Sequence, residues 1–197
     1  MRMRSGWIVL AVAVLTAAVG CGRGSSEPPV LSSAELQGRW WSWVSAGPDE
    51  SDPVADQDGS SCARSQPDDV WFLAGTYGES VQRTCTIPDG RPVAFPLVNR
   101  YGTSEECLDF MASATGSAAL DGKRLDAETY RGESIQIGRF ADSSASGGDS
   151  GFSTIGCGLW IQLPPLEPGA HVLKIRGGSD SFRVSVDYAL TIDAGQS

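Results

Sequence analysis

The clearest pattern of apolar and polar positions lies near the carboxyl end of the chain. From Phe182 to Ile192 every second residue is apolar, and the residues between them are polar or small. This strict alternation predicts a β-strand with one buried face. Shorter apolar runs between turn residues predict further strands at Val70–Ala74, Val81–Ile87, Val93–Val98, Ser134–Phe140, Gly158–Leu163 and His171–Arg176.

Turn residues separate these strands at close spacing. Asp121-Gly122 is typical of a tight β-hairpin, because both positions tolerate a positive φ. Pro88-Asp89-Gly90 predicts a second turn, and Ser143–Ser150 a polar loop. About nine short strands with turns at this spacing predict a mainly β domain, a β-sandwich or jelly roll.

A short helix is predicted before the strands. Ser32 and Glu35 have the spacing of a capping box, and the helix that they begin should run to about Val44. Trp41 lies off the apolar stripe of this helix, so we expect it to have its own packing partner or a ligand. A second helix is predicted near Glu105 to Met111. The apolar stripe of the first helix consists of Leu36, Trp40, Trp43 and Val44.

The first 20 residues have the layout of an export signal. A basic start precedes an apolar run from Trp7 to Val19, which is too short for a spanning helix of about 20 residues. The stretch Ala18-Val19-Gly20-Cys21 resembles the lipobox of bacterial lipoproteins, with Ala18 where Leu is usual. The resemblance implies cleavage before Cys21, lipid and palmitate on Cys21, and a membrane anchor at the extracytoplasmic face of the cell membrane. The alternative is an ordinary secretory signal with Cys21 incidental.

These features divide the chain into four parts. Residues 1–20 are the predicted signal peptide, and residues 21–31 are a lipidated, flexible tether rich in Gly, Ser and Pro. Residues 32–194 have the length of one domain rather than two. Residues 195–197 form a tail.

The chain is acidic, with a net charge of −9. Nucleic acid and anionic lipid need a basic surface, so the charge argues against either as a partner of the domain itself. A glycan or another protein of the cell envelope is compatible with it. The oligomeric state stays open.

Four cysteines remain once Cys21 is set aside. An even number in an exported chain predicts two disulfides, for which three connectivities exist. We favour the pairs Cys62–Cys85 and Cys107–Cys157. The alternative, a zinc site, is disfavoured because no C-x₂-C pair is present and the chain has one histidine.

Several short motifs together are similar to a broad group of uncharacterised exported bacterial proteins of actinobacterial type. The resemblance covers about residues 40 to 190 and implies a secreted, β-rich domain, but it implies no activity. The motifs are Trp40-Trp41-x-Trp43, Asp52-Pro53, Cys62-x-x-x-Gln66, Val70-Trp71-Phe72-Leu73-Ala74-Gly75-Thr76, Arg83-x-Cys85-x-Ile87-Pro88-x-Gly90, Phe95-Pro96-x-x-Asn99 and Leu163-x-Pro165-Leu166-x-Pro168-Gly169-x-His171.

Two features resemble parts of catalytic sites. Gly148-Asp149-Ser150-Gly151 resembles the nucleophile segment of chymotrypsin-like proteases, but their histidine precedes the serine and His171 follows it. A polar loop is the favoured interpretation. We expect His171 to hydrogen-bond backbone at a strand corner, because one histidine makes a transition-metal site improbable.

Acidic residues suggest two further kinds of site. The acids between Asp49 and Asp58 precede Gly59, but an EF-hand with this glycine at position six would begin at Val54, which cannot bind calcium. Asx-turns are therefore favoured, and an irregular calcium site stays open. Glycoside hydrolysis would need two facing carboxylates, for which the candidates are Glu35, Asp109 and Glu133.

The leading prediction is a non-catalytic binding or interaction module, with Trp41 as the candidate ligand contact. The rival prediction is a hydrolase of envelope polymers that uses carboxylates as acid and base. A structural envelope component is the third. The sequence assigns no catalytic residue, cofactor or metal ligand.

Overall fold

A computed structural model describes residues 30–46, 52–138 and 151–194. Cys21, the predicted signal peptide and the predicted loop Ser143–Ser150 lie outside these ranges. Within the ranges, no helix is both long enough and apolar enough to cross a membrane. The helices and strands of the described residues are α1 (Ser33–Val44), β1 (Trp71–Phe72), β2 (Ser80–Pro88), β3 (Val93–Gly102), α2 (Ser104–Ser113), β4 (Thr115–Leu120), β5 (Lys123–Leu125), β6 (Glu128–Ile137), β7 (Phe152–Leu163), β8 (Gly169–Ser179) and β9 (Phe182–Asp193).

The strands form two sheets packed as a sandwich, which confirms the predicted fold class. The strand order is β1-β3-β7-β6 in the four-stranded sheet and β2-β9-β8-β4-β5 in the five-stranded sheet. The main core lies between the sheets, and Phe95, Ile175 and Val186 are fully buried in it. Apolar side chains from one face of each sheet therefore supply most of the buried surface.

The last strand is an interior strand of the five-stranded sheet, between β2 and β8. Strand β9 alternates between buried and less buried positions, as its sequence predicts. It pairs antiparallel with β8 and parallel with β2, where Ser80 is opposite Ser185. The predicted hairpin joins β4 to β5, with positive φ at both Asp121 (51°) and Gly122 (80°). The other predicted turn, Pro88-Asp89-Gly90, makes no hairpin, because it follows β2 of the five-stranded sheet and leads to β3 of the four-stranded sheet.

Helix α1 covers the outer face of the four-stranded sheet. Its predicted capping box is present, because the Ser32 side chain accepts from the Glu35 backbone N–H and the Glu35 side chain accepts from the Ser32 backbone N–H. The helix forms a second core with the sheet, so β3 is buried on both faces. Val93 lies in the core between the sheets, whereas its neighbour Ala94 lies in the core under the helix. The domain therefore has three layers.

Two disulfides fasten the irregular parts of the chain to the sheets, in the predicted pairing. Cys62 and Cys85 join the loop before β1 to β2, with Cα atoms 5.9 Å apart. Cys107 and Cys157 join α2 to β7, with Cα atoms 5.8 Å apart. The second bond is the centre of a small separate core beside α2.

The two sheets approach each other closely beside a pair of glycines. A Cβ atom on Gly177 of β8 would lie 1.9 Å from the Leu97 carbonyl oxygen of β3. One on Gly116 of β4 would lie 2.8 Å from the Leu97 Cβ. Only residues without a side chain allow this separation, since real Cβ contacts are never so short.

Two strands of the four-stranded sheet begin earlier than predicted. Strand β6 begins at Glu128 rather than Ser134, and β7 begins at Phe152 rather than Gly158. The early part of β6 is mostly exposed, because this strand is the edge of its sheet. An exposed edge strand needs no apolar alternation, so its sequence carries a weak signal.

Candidate functional site

An aromatic pocket opens where α1, the chain after β1, strand β3 and the start of β9 meet. Its volume is about 120 Å³. Strand β1 pairs with β3 only at Val93 and Ala94, so the edge of β3 from Pro96 onward is left to line the pocket. The described residues that line it are Trp40, Trp41, Val54, Gly75, Thr76, Tyr77, Pro96, Leu97, Asn99, Phe182 and Val184.

Trp41, the predicted ligand contact, is in the wall of this pocket. Trp40 and Trp43 are buried, with 2% and 1% of their surface exposed, whereas Trp41 is only partly buried. The Trp41 ring stands perpendicular to Trp40 and to Tyr101, at centroid distances of 4.9 and 4.8 Å. Such edge-to-face pairs fix the orientation of the ring. One tryptophan of the helix is thus presented at the pocket while its neighbours pack in the core.

Two nitrogen donors at the pocket have no hydrogen-bond acceptor. They are the indole nitrogen of Trp41 and the side-chain amide nitrogen of Asn99. Buried polar groups without a partner destabilise a protein by about 1–3 kcal/mol each and are uncommon. A ligand with an acceptor oxygen that reached either nitrogen would remove this cost.

The lining carries almost no acid–base chemistry. Among the described residues of the pocket wall, Tyr77 is the one with a titratable side chain. Its hydroxyl donates a hydrogen bond to the Asp52 carboxylate at 2.7 Å. General acid–base catalysis needs groups that exchange protons near neutral pH, such as a carboxylate or imidazole. The described pocket wall can therefore contact a ligand, but none of its side chains exchanges protons near neutral pH.

A buried arginine holds the backbone behind the pocket. Arg83 of β2 is only 2% exposed. Its Nε donates to the Asp56 carbonyl at 2.7 Å, and Nη2 donates to the Val54 carbonyl at 3.0 Å. Nη1 donates to the carbonyls of Ala74 and Gly75 at 3.1 and 3.0 Å. Two pocket-lining residues, Val54 and Gly75, are thus fixed to β2 through one guanidinium group.

Tyr188 of β9 completes this network. Its hydroxyl accepts from Arg83 at 3.0 Å and donates to the Ala74 carbonyl at 2.9 Å. Burial raises the pKa of the Tyr188 phenol above its ordinary value, against the opposing effect of Arg83. The phenol therefore stays protonated and keeps donating. This site was not predicted from the sequence, although Arg83 lies two residues from Val81 and from Cys85 and so falls on the same buried face of β2.

His171 lies away from the pocket, on β8 beside the β4–β5 hairpin. Its Nε2 is 2.9 Å from the Glu167 carbonyl oxygen, which confirms the predicted backbone contact. Its Nδ1 is 2.7 Å from an Asp121 carboxylate oxygen. The hydrogen bond to Asp121, then that to Glu167, raises the pKa of His171, because both partners accept from the protonated ring. The histidine therefore joins a turn to a strand.

The described part of the acidic stretch, from Asp52 to Asp58, forms Asx-turns, as favoured from the sequence. One Asp56 carboxylate oxygen accepts from the backbone N–H of Gly59 at 3.0 Å, and the other from Ser61 at 2.9 Å. Asp58 accepts from the N–H of Ser60 in the same way. In the described ranges, no cluster of three or more metal-binding side chains occurs.

The three candidate carboxylates for hydrolysis lie on three different elements and none lines the pocket. Glu35 caps α1, where hydrogen bonds from Ser32 lower its pKa. Asp109 is on α2 and Glu133 on β6. The protease-like segment Gly148-Asp149-Ser150-Gly151 falls almost wholly outside the described residues, which resume at Gly151.

A run of exposed aromatic rings continues from the pocket across the surface. Tyr101, which contacts Trp41, is 42% exposed, and Phe152 is 50% exposed. The centroids of Tyr101 and Phe152 are 6.0 Å apart. We call Trp41, Tyr101 and Phe152 the aromatic strip. Tyr101 and Phe152 were not predicted as members, because the sequence does not distinguish an exposed aromatic residue in a strand from a buried one.

Comparisons with known proteins identify no family for this chain. No family model matches it, and no curated protein sequence matches it. A family 123 glycoside hydrolase from Clostridium perfringens, described for glycolipid glycan hydrolysis, is 12% identical with a TM-score of 0.27. That match covers 57% of this chain and only 23% of the hydrolase. Amebosin is 13% identical with a TM-score of 0.21, over 58% of this chain and 96% of amebosin. Likenesses this distant carry no argument about function.

Proposed function

We propose that this chain is a non-catalytic binding module whose site is the aromatic pocket at Trp41. The observation that carries the proposal is a small, mostly apolar cavity with aromatic walls and two unpartnered donors. Ligand sites commonly combine apolar walls with a few polar groups that orient the ligand. The absence of carboxylate, imidazole, amine and thiol groups from the described pocket wall favours binding over hydrolysis.

The proposed ligand is neutral and presents one ring-sized, largely apolar part. A cavity of about 150 Å³ holds a benzene ring, so the 120 Å³ of this open pocket suits part of a ring. The chain has a net charge of −9, which repels anions. No cationic side chain is among the described lining residues to offset that repulsion. The donors on Trp41 and Asn99 favour a ligand that also carries acceptor oxygens.

The same proposal includes a location at the extracytoplasmic face of the cell membrane, with the module anchored by lipid on Cys21. The lipobox-like residues Ala18 to Cys21 support it. Two disulfides support it independently, because such bonds persist in oxidising compartments. Mass spectrometry of the mature protein should find a lipidated amino-terminal cysteine. An unmodified amino terminus would contradict the anchor.

The pocket is tested by ligand-observed NMR on the full-length chain with small neutral probes: indole, p-cresol, cyclohexanol and methyl glucoside. Trp41→Ala should weaken the probes that bind by at least about tenfold, which is 1.4 kcal/mol. Trp41→Phe keeps an aromatic ring but loses the N–H, so its affinity for these probes should lie between that of Trp41→Ala and that of the unchanged chain. The matched control is Leu108→Ala, because Leu108 is exposed (66%) on α2.

Two results would reject the pocket as a binding site. One is that no probe binds at concentrations up to about 10 mM, which is about ten times the 1 mM dissociation constant of a weak small ligand. The other is that Trp41→Ala and Leu108→Ala bind every probe equally. Thermal unfolding followed by circular dichroism should show that each variant is folded at the temperature of the titration.

A further inference from the structure

We infer that the ligand is a neutral glycan chain, with one unit at the pocket and further units along the aromatic strip. This inference rests on the proposed function and adds a ligand class and a second binding surface to it. Trp41 belongs to both parts, since it lines the pocket and contacts Tyr101. A ligand that leaves the pocket at Trp41 thus meets Tyr101 next and then Phe152.

The strip offers three separate ring contacts in a row. Its centroids are spaced 4.8 Å from Trp41 to Tyr101 and 6.0 Å from Tyr101 to Phe152. The rings are inclined to each other by 81° and 59°, so they form no flat plate. A planar aromatic molecule cannot lie against all three rings. A chain of rings that can turn at each link can do so.

Sugars match both the apolar and the polar features of this surface. The C–H faces of a sugar ring pack on aromatic side chains, and its hydroxyl oxygens accept hydrogen bonds. The unpartnered donors belong to Trp41 and Asn99, which both line the pocket, and Trp41 is also the first ring of the strip. A purely apolar occupant would leave both donors without an acceptor. A glycan supplies the ring faces and the acceptors together.

The charges beside the strip favour a neutral glycan. Arg100, next to Tyr101, is paired with Glu106 at 2.5 Å. The same carboxyl also caps α2, and the hydrogen bond from the Thr103 backbone, then that from Arg100, lowers its pKa. The Glu106 carboxylate therefore stays ionised beside Arg100, and the ion pair leaves little net charge. An anionic ligand would meet no complementary field here.

The position of the strip argues against a membrane surface as the occupant. Leu31, where the predicted tether ends, exchanges two hydrogen bonds with the Gln162 side chain at 3.0 and 3.1 Å. Gln162 is near the end of β7, and Phe152 is its first residue, about 33 Å away along an extended strand. A chain anchored through residue 21 would thus be attached at one end of β7 and present Phe152, the last member of the strip, at the other.

Calorimetric titration of the full-length chain, in a detergent without a sugar headgroup, tests the inference. The probes are oligomers of one to six units of β-1,4-linked glucose, β-1,4-linked N-acetylglucosamine and α-1,4-linked glucose. At least one series should gain tenfold or more in affinity from one unit to four. Phe152→Ala should remove most of this gain while leaving the affinity for the single unit unchanged. Tyr101→Ala should remove the gain and also weaken the binding of the single unit, because the Tyr101 ring orients Trp41 in the pocket wall. Val172→Ala, an exposed (49%) apolar residue on the other sheet, is the control.

Three outcomes overturn the glycan inference. In the first, single units and hexamers bind with equal affinity. In the second, the Tyr101→Ala and Phe152→Ala variants bind long chains as well as the Val172→Ala control does. In the third, no oligosaccharide binds, whether or not phosphatidylcholine vesicles or an apolar peptide do. If the small neutral probes still bind and depend on Trp41, the pocket proposal survives these outcomes. Failure of those probes would reject the pocket as well.

Discussion

Replacing the buried Arg83 by methionine should destabilise the domain strongly. Methionine keeps much of the apolar volume but donates no hydrogen bond. The carbonyls of Val54, Asp56 and Gly75 would each lose the guanidinium donor, whereas the Ala74 carbonyl keeps Tyr188. A buried acceptor without a partner costs about 1–3 kcal/mol.

Three such acceptors give a gross cost of about 3–9 kcal/mol, and entry of water will reduce it. We therefore expect a loss of about 3–5 kcal/mol in the free energy of unfolding, the range found for breaking buried charged networks. For a domain of this size each kcal/mol lowers the melting temperature by about 2–4 °C. The Arg83→Met variant should thus melt about 6–20 °C below the unchanged protein. Binding at the pocket should weaken as well, since Val54 and Gly75 lose their fixed positions.

Differential scanning calorimetry with both disulfides intact measures this change. Arg83→Lys should be nearly as unstable, because an ammonium group cannot reach all the acceptors that the planar guanidinium bridges. Arg124→Met on the exposed strand β5 is the matched control, and we expect a shift of less than about 0.5 kcal/mol for it. If Arg83→Met melted within 2 °C of Arg124→Met, the network would contribute little and the reasoning would be wrong.

Two other changes test separate features. NMR titration should give His171 a pKa above 6.5, and the Asp121→Asn substitution should lower that pKa. The ion pair with Asp121 should stabilise the folded state fully below the unfolded pKa of about 6.5. This contribution should be lost as the pH rises through the folded pKa of His171. An unchanged His171 pKa in Asp121→Asn would refute this. Gly177→Ala should lower the free energy of unfolding by about 1–3 kcal/mol in chemical denaturation, since the added Cβ would overlap the Leu97 carbonyl. The control is Gly138→Ala, whose Cβ would meet no atom within 4 Å and which should lower it far less. Equal losses in the two variants would refute the close approach of the sheets.

Local signals explain why several elements could be predicted from the sequence. The capping box at Ser32 and Glu35 satisfies hydrogen bonds within one turn of helix, so no distant residue decides it. The Asp121-Gly122 hairpin likewise depends on the φ preferences of adjacent residues. Strand β9 carries alternation because one face is covered along its whole length.

The pocket could not be predicted, because its walls come from distant parts of the chain. Trp41, Asn99 and Phe182 are brought together only by the pairing of sheets and the packing of α1. Trp41 alone was foreseen, since helical periodicity placed it off the buried stripe. Tyr101 and Phe152 give no comparable signal, because exposure in a strand depends on which elements cover it.

The position of β9 between β2 and β8 has a consequence for how the chain can acquire its structure. Its parallel neighbour β2 is made about a hundred residues earlier, and Ser80 must wait for Ser185. Pairings this distant in sequence are slow to form, since a long loop must close before any contact stabilises it. The larger sheet therefore cannot be completed on a growing chain until β9 is released, and β2 has no partner strand in it before then.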